Sequence, residues 1–228
     1  MKTPGGSDAA KRRAGEHAAE LVTDGDTVGL GTGSTAAHAI RALGRAVDDG
    51  LGVRGVTTSY AARDLAREVG IPLVGLDTVD RIDIAIDGAD QVAGCALLKG
   101  GGAAHAREKV VASAATRLVV VIDETKLADA LSGPVPLEVL EPAICPVKDV
   151  ISSMGGAASV RAATGKDGPV ITDNGNPVLD AEFGAIDDPA VLARDLDQVA
   201  GLVAHGLFPD YADRVLIGGP NGVSERRC

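Results

Sequence analysis

No apolar run in this sequence is long enough to cross a bilayer: stretches such as Leu118 to Ile122 fall far short of the roughly 20 residues that a spanning helix needs. The opening segment, Met1 to Ala10, lacks the apolar core of a secretory signal. Cysteine is scarce as well. Cys95, Cys145 and Cys228 are odd in number and widely spaced, which suits neither a disulfide framework nor a C-x-x-C metal knuckle and reads as three reduced, unreactive thiols. The four histidines, His17, His38, His105 and His205, form no spaced cluster with acids or cysteines, so no metal and no metal-assisted hydride shift is expected. Positive charge is also in deficit. With 22 Lys and Arg against 32 Asp and Glu, the net charge of -10 repels nucleic acid and anionic membrane surfaces. Any phosphate chemistry must then use a small, site-bound anion held by backbone donors and individual cations. These absences describe a cytoplasmic protein with no nucleic-acid or membrane partner, whose acidity also suits salt-rich surroundings.

What is present is a chain of 228 residues, 45% of them apolar, enough for one large core or for a larger domain with a smaller one. Short apolar runs, Thr27 to Leu30, Val53 to Thr57, Ile82 to Ile86 and Leu118 to Ile122, read as strands. Periodic Ala/Leu/Arg stretches between them read as helices, among them Asp8 to Val22 and Ala36 to Val47. This alternation predicts an α/β fold with a parallel sheet. After Leu131 the chain is punctuated by Pro134, Pro136, Pro142 and Pro146, and Val170 to Thr172 with Leu179 to Phe183 suggests a hairpin around Asn174-Gly175. A smaller α+β domain is expected there, and Arg214 to Ile217 is expected to return to the first sheet.

Four stretches carry chemistry. The first, Gly29 to Thr35, follows a strand and opens a helix. Its Gly31 and Gly33 let the backbone approach an anion, the helix start offers free amides, and Thr32, Ser34 and Thr35 add hydroxyls. The same segment fits a dinucleotide fingerprint, but the next strand ends in Thr57-Thr58-Ser59 rather than in the acid that holds a ribose. No Gly-Lys-Ser/Thr is present for a nucleotide P-loop. The second is Asp87-Gly88-Ala89-Asp90, placed where ligands bind beyond the carboxyl ends of parallel strands. The third runs from Lys99 through Gly100, Gly101 and Gly102 to Glu108. Three successive glycines fit a loop that must approach something closely. The fourth is Asp123 to Lys126, whose lysine either completes a phosphate site or lies on the surface. Glu108 is a base or a solvated residue between Arg107 and Lys109. Proton abstraction beside a carbonyl needs a base, a cation for the enediolate and an acid for oxygen, and Glu108, Lys99 and the Asp87/Asp90 pair are of those types.

In order along the chain, GLGTGST (29 to 35), TTS (57 to 59), DGAD (87 to 90), LLKGGGAAHAREK (97 to 109), DETK (123 to 126), PLEV (136 to 139), TDNGNPVLD (172 to 180) and HGLF (205 to 208) together resemble the type A ribose-5-phosphate isomerases. The resemblance implies a Rossmann-like catalytic domain over 1–131 plus 207–228, with a ferredoxin-like α+β lid and oligomerisation domain over 132–206. It further implies cofactor-free interconversion of D-ribose 5-phosphate and D-ribulose 5-phosphate through an enediol, in the non-oxidative pentose phosphate pathway, by a homodimer or homotetramer. On the matching positions Glu108 moves the proton between C1 and C2, Asp87 and Asp90 handle ring and chain oxygens, and Lys99 steadies the enediolate. Phosphate falls to Thr32, Gly33, Ser34, Thr35 and Lys126, with Lys11 assisting, and Gly31, Gly88, Ala89 and Gly100 to Gly102 line the substrate.

The chain departs from the family pattern at Gln91 and Ala204, where acids are usual, at His105-Ala106, and at Val135 and Ala200. The rival readings are another sugar-phosphate isomerase or deaminase on the same scaffold, which would need a different acid/histidine set, and a non-catalytic sugar-phosphate sensor. Intact Asp87, Asp90, Lys99 and Glu108, and the lack of a basic DNA-binding segment, count against the sensor.

Overall fold

A computed structural model describes residues 6–228; the first five residues, and with them half of the Met1 to Ala10 segment, lie outside the described residues. In chain order the elements are α1 (Asp8–Ala19), β1 (Thr27–Leu30), α2 (Ser34–Asp48), β2 (Arg54–Thr57), α3 (Tyr60–Glu68), β3 (Ile84–Asp87), β4 (Gln91–Ala93), β5 (Ala96–Leu98), α4 (His105–Ser113), β6 (Leu118–Asp123), β7 (Val135–Val139), α5 (Ile144–Ser153), β8 (Ala157–Val160), β9 (Val178–Glu182), α6 (Pro189–Leu196), β10 (Leu202–His205), β11 (Leu207–Phe208), β12 (Arg214–Gly218) and β13 (Val223–Arg227). They fall into two compact units, one made of residues 6–89, 107–127 and 211–228, the other of residues 90–106 and 128–210.

The first unit is built on a six-stranded sheet in the order β13-β12-β6-β3-β1-β2. Five strands are parallel, and only the edge strand β13 runs against its neighbour β12. Strands β1, β3 and β6 are buried along their whole length, as strands of a parallel sheet covered on both faces are. The core on one face joins Val28, Leu30, Ile84 and Ile86 to Ala14 and Ala18 of α1 and Ala39, Ile40 and Leu43 of α2. Small residues on the helices allow this close approach: a Cβ on Gly15 would come within 2.8 Å of the Ala39 backbone nitrogen. The expected return of Arg214 to Ile217 is observed as β12, beside β6.

The second unit contains β7-α5-β8-β9-α6-β10, the β-α-β-β-α-β succession of ferredoxin-like folds, with its four strands antiparallel in the order β10-β7-β9-β8. Val135, Leu137, Val139 and Leu179 pack with Val147 and Ile151 of α5 and Leu196 of α6. Val135, one of the departures from the family pattern, is fully buried in this core. A smaller three-stranded sheet, β11-β5-β4, completes the unit.

Two expectations need correction. The turn at Asn174-Gly175 forms, but a single bridge, Ile171 with Pro177, replaces the expected hairpin ladder, and β9 pairs instead with β7 and β8. Pro169 and Pro177 flank the turn and carry no N–H to donate to a ladder. The polar turn residues are also drawn elsewhere, because Thr172, Asn174 and Asn176 all donate to the buried carboxylate of Glu138. The second correction concerns cysteine: Cys95 and Cys228 are each disulfide-bonded, and Cys145 keeps a free, exposed thiol.

Among the described residues no helix is long and apolar enough to cross a membrane, and no group of three or more His, Cys, Asp or Glu is placed to hold a metal ion.

Candidate active site

Parallel pairing puts the carboxyl ends of β1, β3, β6 and β12 along one edge of the large sheet, and the motifs that begin at the ends of β1, β3 and β6, namely Gly29 to Thr35, Asp87 to Asp90 and Asp123 to Lys126, start there. Gly31 follows β1 and donates to the Ile86 carbonyl at 2.9 Å. Its missing side chain matters, because a Cβ at this position would lie 2.2 Å from the Asp87 carboxylate. Asp87 ends β3 and is 4% exposed. Its Oδ1 accepts the Thr32 amide at 2.9 Å and the Gly88 amide at 2.8 Å, so the carboxylate is fastened to both the glycine turn and the DGAD turn.

The Thr32 hydroxyl lies 2.8 Å from the Thr58 hydroxyl and donates to Ser59 at 2.7 Å; Ser59 in turn caps α3 by accepting the Ala62 amide. The Thr57-Thr58-Ser59 stretch thus braces the glycine turn, the work that replaces ribose binding at the end of β2. Gly33 is the N-cap of α2, followed by exposed Ser34 and buried Thr35, so the first amides and hydroxyls of a 15-residue helix are grouped where an anion gains from the helix dipole. Lys126 sits in the short turn after β6, where buried Asp123 accepts the Thr125 amide at 3.0 Å, and Lys11 lies on α1; both are partly buried.

Glu108 occupies the first turn of α4 and is only 5% exposed. The alternative of a solvated residue is therefore excluded. A carboxylate at a helix N-terminus is favoured by the dipole, which offsets part of the cost of burying it. The neighbouring Arg107 stacks on the Tyr60 ring at 5.1 Å, and Arg63 lies on the same ring at 4.5 Å, which ties the start of α4 to the start of α3. Tyr60 carries no sequence signal of its own; only the fold shows it between two guanidinium groups.

In the other unit the β4–β5 hairpin presents Asp90 and Lys99. Gln91 pairs with Leu98, so the residues just beyond, Asp90 and Lys99, face each other at the open end, and the Asp90 amide donates to the Leu98 carbonyl at 2.8 Å. Asp90 Oδ2 accepts the Gly101 amide at 2.7 Å, and the Lys99 amide donates to Gly206 at 2.8 Å. Lys99 is 3% exposed, with its ammonium 5.6 Å from the centre of the Phe208 ring. The structure thus gathers Asp90, Lys99 and Gly101 in this unit, and Thr32, Asp87 and Gly88 in the first.

Two departures from the family pattern have structural work. Gln91 Oε1 accepts the Ser132 and Gly133 amides at 2.9 and 3.1 Å, which a protein-bound carboxylate would also do. His105 is fully buried, with Nε2 3.3 Å from the Ala204 carbonyl.

A family model for ribose 5-phosphate isomerase A (phosphoriboisomerase A) matches residues 54–222. The chain is 58% identical over 222 residues to the ribose-5-phosphate isomerase A of Haloarcula marismortui, covering 97% of each chain, and 56% identical over 226 residues to that of Natronomonas pharaonis, covering 99% of this chain and all of the other. The solved ribose 5-phosphate isomerase A of Methanocaldococcus jannaschii superposes with a TM-score of 0.92 at 43% identity, over 96% of this chain and 98% of that one. A D-ribose-5-phosphate isomerase in complex with phospho-erythronic acid superposes with a TM-score of 0.95 at 41% identity, over 98% of this chain and 100% of that one.

Proposed function

Given that this chain belongs to the ribose-5-phosphate isomerase A family, and is an isomerase, we propose that Glu108 is the base that carries the proton between C2 and C1 as ribose 5-phosphate and ribulose 5-phosphate interconvert. The buried position of Glu108 on the first turn of α4 carries this reading, since a base shielded from water can act on carbon without being levelled by solvent.

In the forward direction Glu108 takes the C2 proton of the open-chain aldose. The C–H electrons form the C1–C2 double bond, and O1 takes the developing charge. Return of the proton to C1, with transfer of the O2 proton to O1, leaves a hydroxyl on C1 and the carbonyl at C2. Lys99 supplies the positive charge that steadies the enediolate, and Asp87 and Asp90 move protons on the ring and chain oxygens. The turn from Gly31 to Thr35 holds the phosphate with Lys126, assisted by Lys11, while Gly88, Ala89 and Gly100 to Gly102 line the sugar. A positioned base contributes about 10²- to 10⁴-fold and an oxyanion donor about 10²- to 10³-fold, so neither suffices alone and the anchored phosphate must supply orientation.

The reading includes metal-independent, cofactor-free turnover, a cytoplasmic location, assembly as a homodimer or homotetramer, and a lid and oligomerisation role for the ferredoxin-like unit. Phospho-erythronic acid, which a relative binds, carries a phosphate and a planar carboxylate where the enediolate would be, and is expected to compete with substrate here. The test is conversion of ribose 5-phosphate in excess chelator: full rate supports the proposal, and a rate that vanishes and returns with added metal ion contradicts it.

A further inference from the structure

The triple glycine is held from outside by a pair of residues to which the reaction as described gives no part. Arg161 follows β8, and its amide donates to the Val178 carbonyl at 2.9 Å, which places it across from β9 and diagonal to Asp180. The guanidinium binds the Asp180 carboxylate through both Nε, at 2.9 Å, and Nη2. Its remaining arm, Nη1, donates to the carbonyls of Gly100, at 3.0 Å, and Gly101, at 3.4 Å. The side chains are only 10% and 20% exposed. A desolvated ion pair contributes little net stability, since burial of the two charges offsets most of their attraction, so stability alone is a weak account of this one.

Peptide geometry shows what the pair does. In a trans peptide the C=O and the following N–H point in opposite directions. Arg161 pulls the Gly100 carbonyl to one side, so the Gly101 N–H must point to the other, and there it meets Asp90 Oδ2 at 2.7 Å. Gly100 has φ +95°, and within the glycine loop only the Ala103 amide, which donates to the Gly100 carbonyl at 2.9 Å, opposes a peptide flip that would reverse both groups, so Arg161 adds the second restraint. The contact is close: a Cβ on Gly101 would lie 2.6 Å from Asp90 Oδ1.

We propose that Arg161, locked by Asp180, is a positioning residue that fixes the Gly100–Gly101 peptide and through it aims the Asp90 carboxylate at the substrate oxygens. The proposal rests on the role given above to Asp90. Arginine is required because one planar fork must serve a carboxylate and two carbonyls at once, whereas a lysine ammonium reaches one or the other.

The experiment compares wild type with Arg161→Ala and Arg161→Lys, measuring kcat and KM for ribose 5-phosphate together with the exchange rate of the Gly101 amide by NMR. Both variants should lose about 10- to 100-fold in kcat, as a misplacement near 1 Å does, while KM changes much less. The Gly101 amide should exchange faster in both, and free guanidinium ion should restore turnover to Arg161→Ala but not to wild type or Arg161→Lys. Unchanged Gly101 protection with unchanged kcat would overturn the clamp. Faster exchange with full turnover would support the clamp and place the error in the role assigned to Asp90. A Tm drop with proportionate losses in all parameters and no guanidinium rescue would make the pair purely structural and overturn the proposal.

Discussion

Replacing Gly31 by alanine should damage the site through one methyl group. The added Cβ would stand 2.2 Å from Asp87 Oδ1, 2.4 Å from its Cγ and 2.6 Å from its Cα. Ordinary contact begins near 3.4 Å, so either the carboxylate or the β3 backbone must retreat by about 1.2 Å. The carboxylate cannot do so while keeping its bonds to the Thr32 and Gly88 amides. Overpacking of this kind costs about 1 to 3 kcal/mol, and each bond from an amide to a charged acceptor is worth about 1.5 to 3 kcal/mol. Turnover should suffer more than folding, because a shift near 1 Å at a reacting group costs about 10²-fold. The assay is kcat/KM on ribose 5-phosphate beside a thermal melt, with Gly165→Ala as control, since Gly165, like Gly31, lies outside the left-handed region but has nothing within 4 Å of its Cβ direction. Gly31→Ala with the kcat/KM of that control would refute the claim that the glycine turn and Asp87 form one rigid piece.

Lys99→Ala should lower kcat by at least about 10²-fold with a smaller change in KM, because its charge is needed most when the enediolate forms; an effect confined to KM would move Lys99 to substrate binding. Asp83 gives a pH test remote from the chemistry. Its carboxyl is held below the ordinary value of 3.8, first by the Thr27 amide, which donates to it at 2.9 Å, and next by Arg81, while burial works in the other direction. A lowered folded pKa means stability present above the unfolded value and lost as pH falls through the folded one. Asp83→Asn should therefore flatten the loss of stability below about pH 4 and leave turnover at neutral pH unchanged; an acid limb identical to wild type would contradict this.

Much of this fold was legible because buried parallel strands write themselves as unbroken apolar runs. Thr27 to Leu30 and Leu118 to Ile122 needed only their neighbours assigned. The DGAD and KGGG motifs were legible for a related reason, since functional loops use glycine where no side chain fits, as at Gly31 and Gly101. Partners distant in sequence were not legible. Arg161 and Asp180 are separated from the glycines they hold by some 60 to 80 positions, and nothing in the pattern SVRAA marks its arginine as a donor to Gly100. The burial of Glu108 was hidden for a different reason: flanked by Arg107 and Lys109, it has the local pattern of a surface residue, and only the packing around the start of α4 decides otherwise. The single-bridge turn at Asn174-Gly175 was missed because turn residues record local preference, which the pairing of β9 with β7 and β8 overrode, and the disulfide-bonded states of Cys95 and Cys228 leave no mark in cysteine spacing.

The central claim is that one buried carboxylate moves the proton. Glu108→Gln keeps the size and hydrogen-bonding reach of the side chain and removes its basicity, so it separates chemistry from binding. Titration calorimetry and initial-rate kinetics with ribose 5-phosphate should show affinity within about 3-fold of wild type and turnover reduced by about 10²- to 10⁴-fold. Wild-type turnover in that variant would contradict the account and require another base.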